Sequence, residues 1–112
     1  MAARRVDPKI ASFKPRINDL EQIIRTLAAG RMSPGFSEHA LDRMEERGIT
    51  TLDVVRVLRL GGIKGEVEAG RSAGEWKCKV VAKVKGSREI GVITIVVAQQ
   101  RLFIKTVEWE DL

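Results

Sequence analysis

The residues from Trp76 to Lys85 alternate between apolar and polar side chains, and this alternation constrains the fold more than any other feature of the chain. A period of two places successive side chains on opposite faces of a β-strand. One face would carry Trp76, Cys78, Val80, Ala82 and Val84, and the other Lys77, Lys79, Val81, Lys83 and Lys85. Because four lysines on one face cannot be buried in a core, we expect a sheet with a covered apolar face and an open basic face.

Three further segments have strand character. Residues 64–69 predict a short strand, residues 89–97 are apolar on both faces as in a central strand, and residues 101–109 predict the last strand. Turn residues separate these segments, which indicates an antiparallel meander of four strands.

Before residue 62 the apolar period is helical instead. The stripe Ile17, Leu20, Ile23, Ile24 and Leu27 predicts a helix over residues 16–29. A second helix is expected from Ser37 to Gly48, and a third from Thr50 or Thr51 to Gly61. The fold class expected is therefore α+β, with two or three N-terminal helices packed on one face of a four-stranded antiparallel sheet.

The length of 112 residues suits one domain, which we place at residues 16–112. Residues 1–15 have two prolines and no apolar period, so we expect a basic flexible arm. No apolar run approaches the length of a membrane span, and a cytoplasmic protein without a membrane partner is expected. A single cysteine and a single histidine argue against an internal disulfide and a His/Cys zinc site, so no metal and no cofactor are expected.

The net charge of +5 is unevenly distributed. Residues 1–16 carry five basic groups and one acid, which gives +4, and residues 71–107 carry eight basic groups and two acids, which gives +6. Two basic zones on a nearly balanced body favour an anionic polymer as partner, although a solvated surface with a basic tail would have the same composition.

Two groups of residues are candidates for function. The first is a nucleic-acid-binding set on the predicted sheet, formed by Lys77, Lys79, Lys83 and Lys85 with Arg101 and Lys105 of the last strand. The alternative is that these lysines only protect a strand edge from aggregation. The second is a candidate catalytic set on one flank of the second helix, formed by His39, Arg43 and Arg47 at intervals of four. An imidazole can transfer protons and guanidinium groups can stabilise phosphate charge. The same spacing also fits a helix stabilised by salt bridges among His39, Arg43, Glu46 and Arg47, with His39 as a partly buried hydrogen-bonding group.

The run from Phe36 to Thr50 resembles the opening of domain-of-unknown-function family 4258, which begins with Ser-x-His-Ala-x-x-Arg-Met-x-x-Arg-Gly-Ile. The likeness covers about residues 36–109. That family resembles the RelE-like part of the barnase–EndoU–colicin–RelE fold, whose members are mostly metal-independent ribonucleases and often toxins. The resemblance implies RNA bound on the open sheet face, with His39, Arg43 and Arg47 as functional positions. The chain has no tyrosine, so a tyrosine-stacked active site is excluded.

Two functions follow as hypotheses. The first is a RelE-like RNA-directed module, with metal-independent endoribonuclease activity in its active form. The second is a non-catalytic domain that binds a nucleic acid or a protein through the basic sheet face. By resemblance to toxins, the protein partner expected is an acidic, antitoxin-like segment.

Overall fold

In a computed structural model, which describes residues 13–111, three helices and five strands form an α+β fold. The predicted arm therefore lies almost entirely outside the described residues. The helices are α1 (Ile17–Ala28), α2 (Glu38–Arg47) and α3 (Thr51–Leu60). The strands are β1 (Gly35–Phe36), β2 (Gly62–Ala69), β3 (Glu75–Lys85), β4 (Arg88–Val97) and β5 (Arg101–Trp109).

The sheet differs from the expected one in a single element. Its strand order is β1-β5-β4-β3-β2, and the four longer strands form the antiparallel meander that the sequence predicts. The fifth strand, β1, has only two residues and pairs in parallel with β5, Gly35 opposite Phe103 and Phe36 opposite Ile104. The prediction of four antiparallel strands was wrong on this point, because a two-residue strand has no period for a sequence pattern to detect.

The helices begin and end through local hydrogen bonds that the sequence indicates. The Ser37 hydroxyl accepts a bond from the Ala40 amide at the start of α2, and Gly48 ends the helix at a φ of +66°. At the start of α3, Thr50 and Asp53 form a reciprocal capping box. Because α2 ends at Gly48 and α3 is capped by Thr50, only a short connection separates the two helices.

The core lies between the helices and one face of the sheet. Leu20 and Ile24 of α1 and Val57 and Leu58 of α3 are almost completely buried in it. The sheet contributes alternate side chains, among them Trp76, Cys78, Val80, Ile90, Val92, Val96, Leu102, Ile104 and Val107. The expected covered apolar face is confirmed, and within residues 13–111 the three helices leave the opposite face of the sheet uncovered.

Where β1 ends, the free edge of β5 is completed by α2 instead of by another strand. The Ser37 hydroxyl donates to the Lys105 carbonyl at 2.8 Å, and the Arg47 guanidinium donates to the Val107 carbonyl at 2.6 Å. In return, the Trp109 indole N–H donates to the Arg47 carbonyl at 3.2 Å. Because buried backbone groups need partners, these bonds fix α2 along β5.

No helix among residues 13–111 is long and apolar enough to cross a membrane.

Candidate functional site

The uncovered face of the sheet contains a groove of about 890 Å³. It lies at the end of the sheet where β3 and β5 begin, between the loop that follows α1 and the hairpin that joins β2 to β3. Its floor is apolar and includes Ile95, Val97 and Phe103. Five basic residues line it, against the single acid Glu75: Arg31, Arg71, Lys77, Arg101 and Lys105. The groove therefore combines an apolar floor with an excess of positive charge.

Three of the predicted binding residues meet in this groove. Lys77, opposite Ile95, comes from β3, while Arg101 and Lys105 come from β5. Lys105 lies at a register shift, because Ile104 pairs with Thr94 and Thr106 pairs with Ile93, which leaves Lys105 as the additional residue of a β-bulge. At the bulge, the Lys105 carbonyl accepts a hydrogen bond from the Ser37 hydroxyl. The lysine side chain stays exposed at the groove.

The other predicted lysines do not form one continuous positive row. Lys79 lies on the open face but pairs with Glu108 at 3.4 Å and Glu110 at 2.9 Å. Lys83 is exposed beyond the groove, and no ion pair is formed by it among the described residues. Lys85 follows a register shift in β3, and its ammonium group lies 3.4 Å from the Asp53 carboxylate at the start of α3. The expectation that four lysines share one face is therefore corrected at Lys85, which reaches to the helical layer.

The acidic end of β5 has a role that the charge pattern did not indicate. The Glu110 side chain is only 6% exposed and contacts two lysines, Lys64 at 3.1 Å and Lys79 at 2.9 Å. Burial alone would raise the pKa of Glu110, but hydrogen bonds from Lys79 and Lys64 outweigh it and lower that pKa. The hydrogen bond to Glu110 likewise raises the pKa of Lys79. This cluster neutralises the end of the open face away from the groove, so the positive charge is concentrated in the groove.

The candidate catalytic set on α2 is not part of the groove. His39 is exposed in the first turn of α2 and lines neither this groove nor the smaller cavity beside it, which extends over the open face from Lys77 to Lys64. Arg43 pairs with Glu46 at 2.6 Å on the surface, as the salt-bridged alternative expects, but that alternative is wrong in expecting His39 to be partly buried. Arg47 donates to the carbonyl of Val107. Of the three side chains, only His39 has no bonding partner among the described residues.

Sequence reasoning missed three contributors to the groove. Arg31 and Arg71 lie in loops, where no period indicates which way a side chain faces. Phe103 could have been found, because it lies two residues after Arg101 and therefore faces the same side of β5.

Cys78 is buried and is not a candidate nucleophile. The Cys78 thiol is buried beneath the helices, and burial, assisted by the negative charge of Glu21, raises its pKa to about 12. Such a thiol is not an available nucleophile. Within residues 13–111, no cluster of three or more His, Cys, Asp or Glu side chains has the arrangement of a metal site.

Comparison with known families shows to which family the chain belongs. The profile of the family described as a domain of unknown function, DUF4258, matches residues 36–109. The chain belongs to the DUF4258 family. The match begins at the second residue of β1 and ends at the last residue of β5. It therefore includes α2, α3 and the four longer strands and leaves α1 outside. No curated protein and no solved structure matches the chain.

Proposed function

We propose that this DUF4258 domain is an RNA-directed module of the RelE-like type that binds RNA in the groove on its open sheet face. The observation that carries the proposal is the lining of the groove, where five basic residues stand against one acid. A concave surface with one sign of charge concentrates its field and attracts a polyanion from solution.

The state of these basic groups supports binding. Arg31, Arg71, Arg101 and Lys105 are exposed, and none of them forms an ion pair with a carboxylate in residues 13–111. Lys77 pairs with Glu68 at 3.1 Å, but the Glu68 side chain is 61% exposed, and such a surface pair is weak and easily exchanged. Phosphate groups can therefore bind in the groove without breaking a buried ion pair.

Electrostatic binding of this kind has a measurable signature. Each phosphate neutralised on a single strand contributes about −0.7 to the slope of log affinity against log salt. Replacing both Arg101 and Lys105 by Glu should weaken RNA binding at least tenfold and reduce the slope by about 1.4. Lys83→Glu is the matched control, because Lys83 is exposed on the same face but does not line the groove.

Fluorescence anisotropy with a labelled RNA at several salt concentrations measures both quantities. An R101E/K105E variant that keeps the affinity and slope of the wild type would refute the assignment of the groove. Strong, salt-insensitive binding to an acidic peptide, without RNA binding, would support the protein-partner alternative instead.

A ribonuclease activity is a second candidate, and the observation that favours it is His39. Ser37, Arg47 and Gly48 of the family motif have structural contacts or a backbone conformation to explain them, whereas His39 is exposed and unpaired among the described residues. In such a reaction, a base removes the proton of a ribose 2′-hydroxyl, the oxygen attacks the adjacent phosphate, and an acid protonates the leaving 5′-oxygen. His39 would serve as the base or the acid.

The test for catalysis is separate from the test for binding. Labelled RNA incubated with the protein in EDTA between pH 5 and 9 should be cleaved by the wild type and not by His39→Ala, while both bind it equally. RNA that stays intact at every pH excludes the ribonuclease and leaves the binding module.

A further inference from the structure

The floor of the groove is apolar, and phosphate groups do not make favourable contacts with an apolar surface. Phe103 is 37% exposed there, beside the partly exposed side chains of Ile95 and Val97, and Met32 at the rim is 75% exposed. An apolar surface surrounded by cations fits a ligand that is apolar in one part and anionic in another. A plain polyanion would use the rim and leave the floor in contact with water.

The Phe103 ring packs against the neighbouring short strand. Gly35 of β1 pairs with Phe103, and a Cβ atom at Gly35 would lie 3.1 Å from Cδ2 of the ring. The ring therefore packs closely against the backbone at Gly35, and a Cβ atom there would require the ring to shift by a few tenths of an ångström. Part of the Phe103 side chain nevertheless stays open to the groove.

Cations flank the ring on both sides. Arg101 and Lys105 each lie two residues from Phe103 along β5, and Lys77 lies opposite Ile95, which is itself paired with Phe103. A flat apolar ligand group stacked on the ring would therefore lie between the positive charges of Arg101 and Lys105 along β5. Aromatic side chains within a basic groove are the arrangement by which proteins bind single-stranded nucleic acids.

We propose that Phe103 stacks with an unpaired base, so that the groove selects single-stranded RNA over duplex RNA. The inference rests on the proposed function and specifies its ligand. In a duplex both faces of each base are already stacked, so the ring could gain a base only by opening the helix. Phosphates on either side of the unpaired base would contact Arg101 and Lys105.

The experiment compares three probes at one salt concentration: a labelled single-stranded RNA, the same strand in a duplex, and inorganic polyphosphate. The wild type should bind the single strand most tightly. Phe103→Leu, which keeps an apolar side chain but removes the aromatic face, should weaken single-strand binding about 5- to 150-fold, the range for loss of one base–aromatic stack. Its affinity for polyphosphate should change less than about twofold.

Three matched variants separate stacking from general effects. Phe103→Trp should retain single-strand binding, and Gly35→Ala, whose Cβ atom would crowd Cδ2 of the ring without altering charge, should weaken it. Leu52→Ala removes an exposed apolar side chain of α3, 68% exposed, and should change nothing. Circular dichroism melts establish that each variant is folded before its affinity is compared.

The outcomes distinguish this inference from the proposed function. If F103L binds the single strand as well as the wild type, or F103W binds as weakly as F103L, stacking is refuted while polyanion binding stands. Equal wild-type affinity for single strand, duplex and polyphosphate also refutes the inference alone. Absence of binding to all three probes at low salt refutes the proposed function, and the inference with it.

Discussion

The side chain of Arg47 gives a sharp prediction, because its position in the structure indicates a structural role rather than a role at phosphate. Its guanidinium donates to the Val107 carbonyl at 2.6 Å, at a part of the β5 edge with which no strand of residues 13–111 pairs. Arg47→Ala removes this bond and leaves the carbonyl of a completely buried residue without its partner. The bond from Trp109 to the Arg47 backbone is kept, so the change isolates the side chain.

The magnitude follows from the type of bond. Hydrogen bonds to charged groups contribute about 1.5–3 kcal/mol, and Arg47 is only half-buried, so we expect a loss of about 2 kcal/mol in the free energy of unfolding. For a domain of this size that loss lowers Tm by roughly 8–16 °C. Thermal and urea unfolding followed by circular dichroism measure it, and the urea m-value should stay unchanged.

Two variants provide the controls. Arg43→Ala breaks only a surface pair with Glu46 and should cost less than about 0.5 kcal/mol. Arg47→Lys keeps the charge and a donor and should recover part of the lost stability. The reasoning is refuted if R47A unfolds like the wild type, and it is also refuted if R47A loses RNA affinity while its stability is unchanged.

Three further predictions concern single residues. Hydrogen bonds from Lys79 and Lys64 lower the pKa of Glu110 in the folded protein below its ordinary value of 4.5. The carboxylate of Glu110 therefore stabilises the fold above pH 4.5, and this stabilisation is lost as the pH falls through the lower pKa of the folded state. Glu110→Gln should therefore reduce Tm at pH 7 and have a smaller effect at pH 3, and an equal loss at both values would contradict the ion-pair account. Burial raises the pKa of the Cys78 thiol to about 12. The thiol should therefore resist iodoacetamide at pH 8 in the native protein and react in denaturant. Rapid alkylation of the native protein would show that the thiol is accessible. Gln99 has a φ of +56° in the turn between β4 and β5, a left-handed conformation that is unfavourable for a residue with a Cβ atom. Gln99→Gly should therefore raise the free energy of unfolding in urea by about 0.5–1 kcal/mol. A destabilised variant would show that this conformation is not strained.

Local patterns in the chain determined the elements and the two faces of the sheet. The alternation in β3 predicts that Trp76 is buried while Lys77 lies on the open face, and both are found there. The cap residues Ser37 and Gly48 likewise mark where α2 begins and ends. These features depend on neighbours within a few positions, so a single sequence is enough to specify them.

The tertiary structure decided which charges meet and which stay available. Glu110 reaches Lys79 from 31 positions away, Lys85 turns toward Asp53 after a register shift, and Lys77 pairs with Glu68 of β2. Three of the four lysines of the predicted row are therefore paired with carboxylates. The groove instead gains cations from two loops, whose side-chain directions no period specifies. Such contacts depend on strand register, bulges and sheet twist, which are set by the packing of the whole domain rather than by any local run of residues.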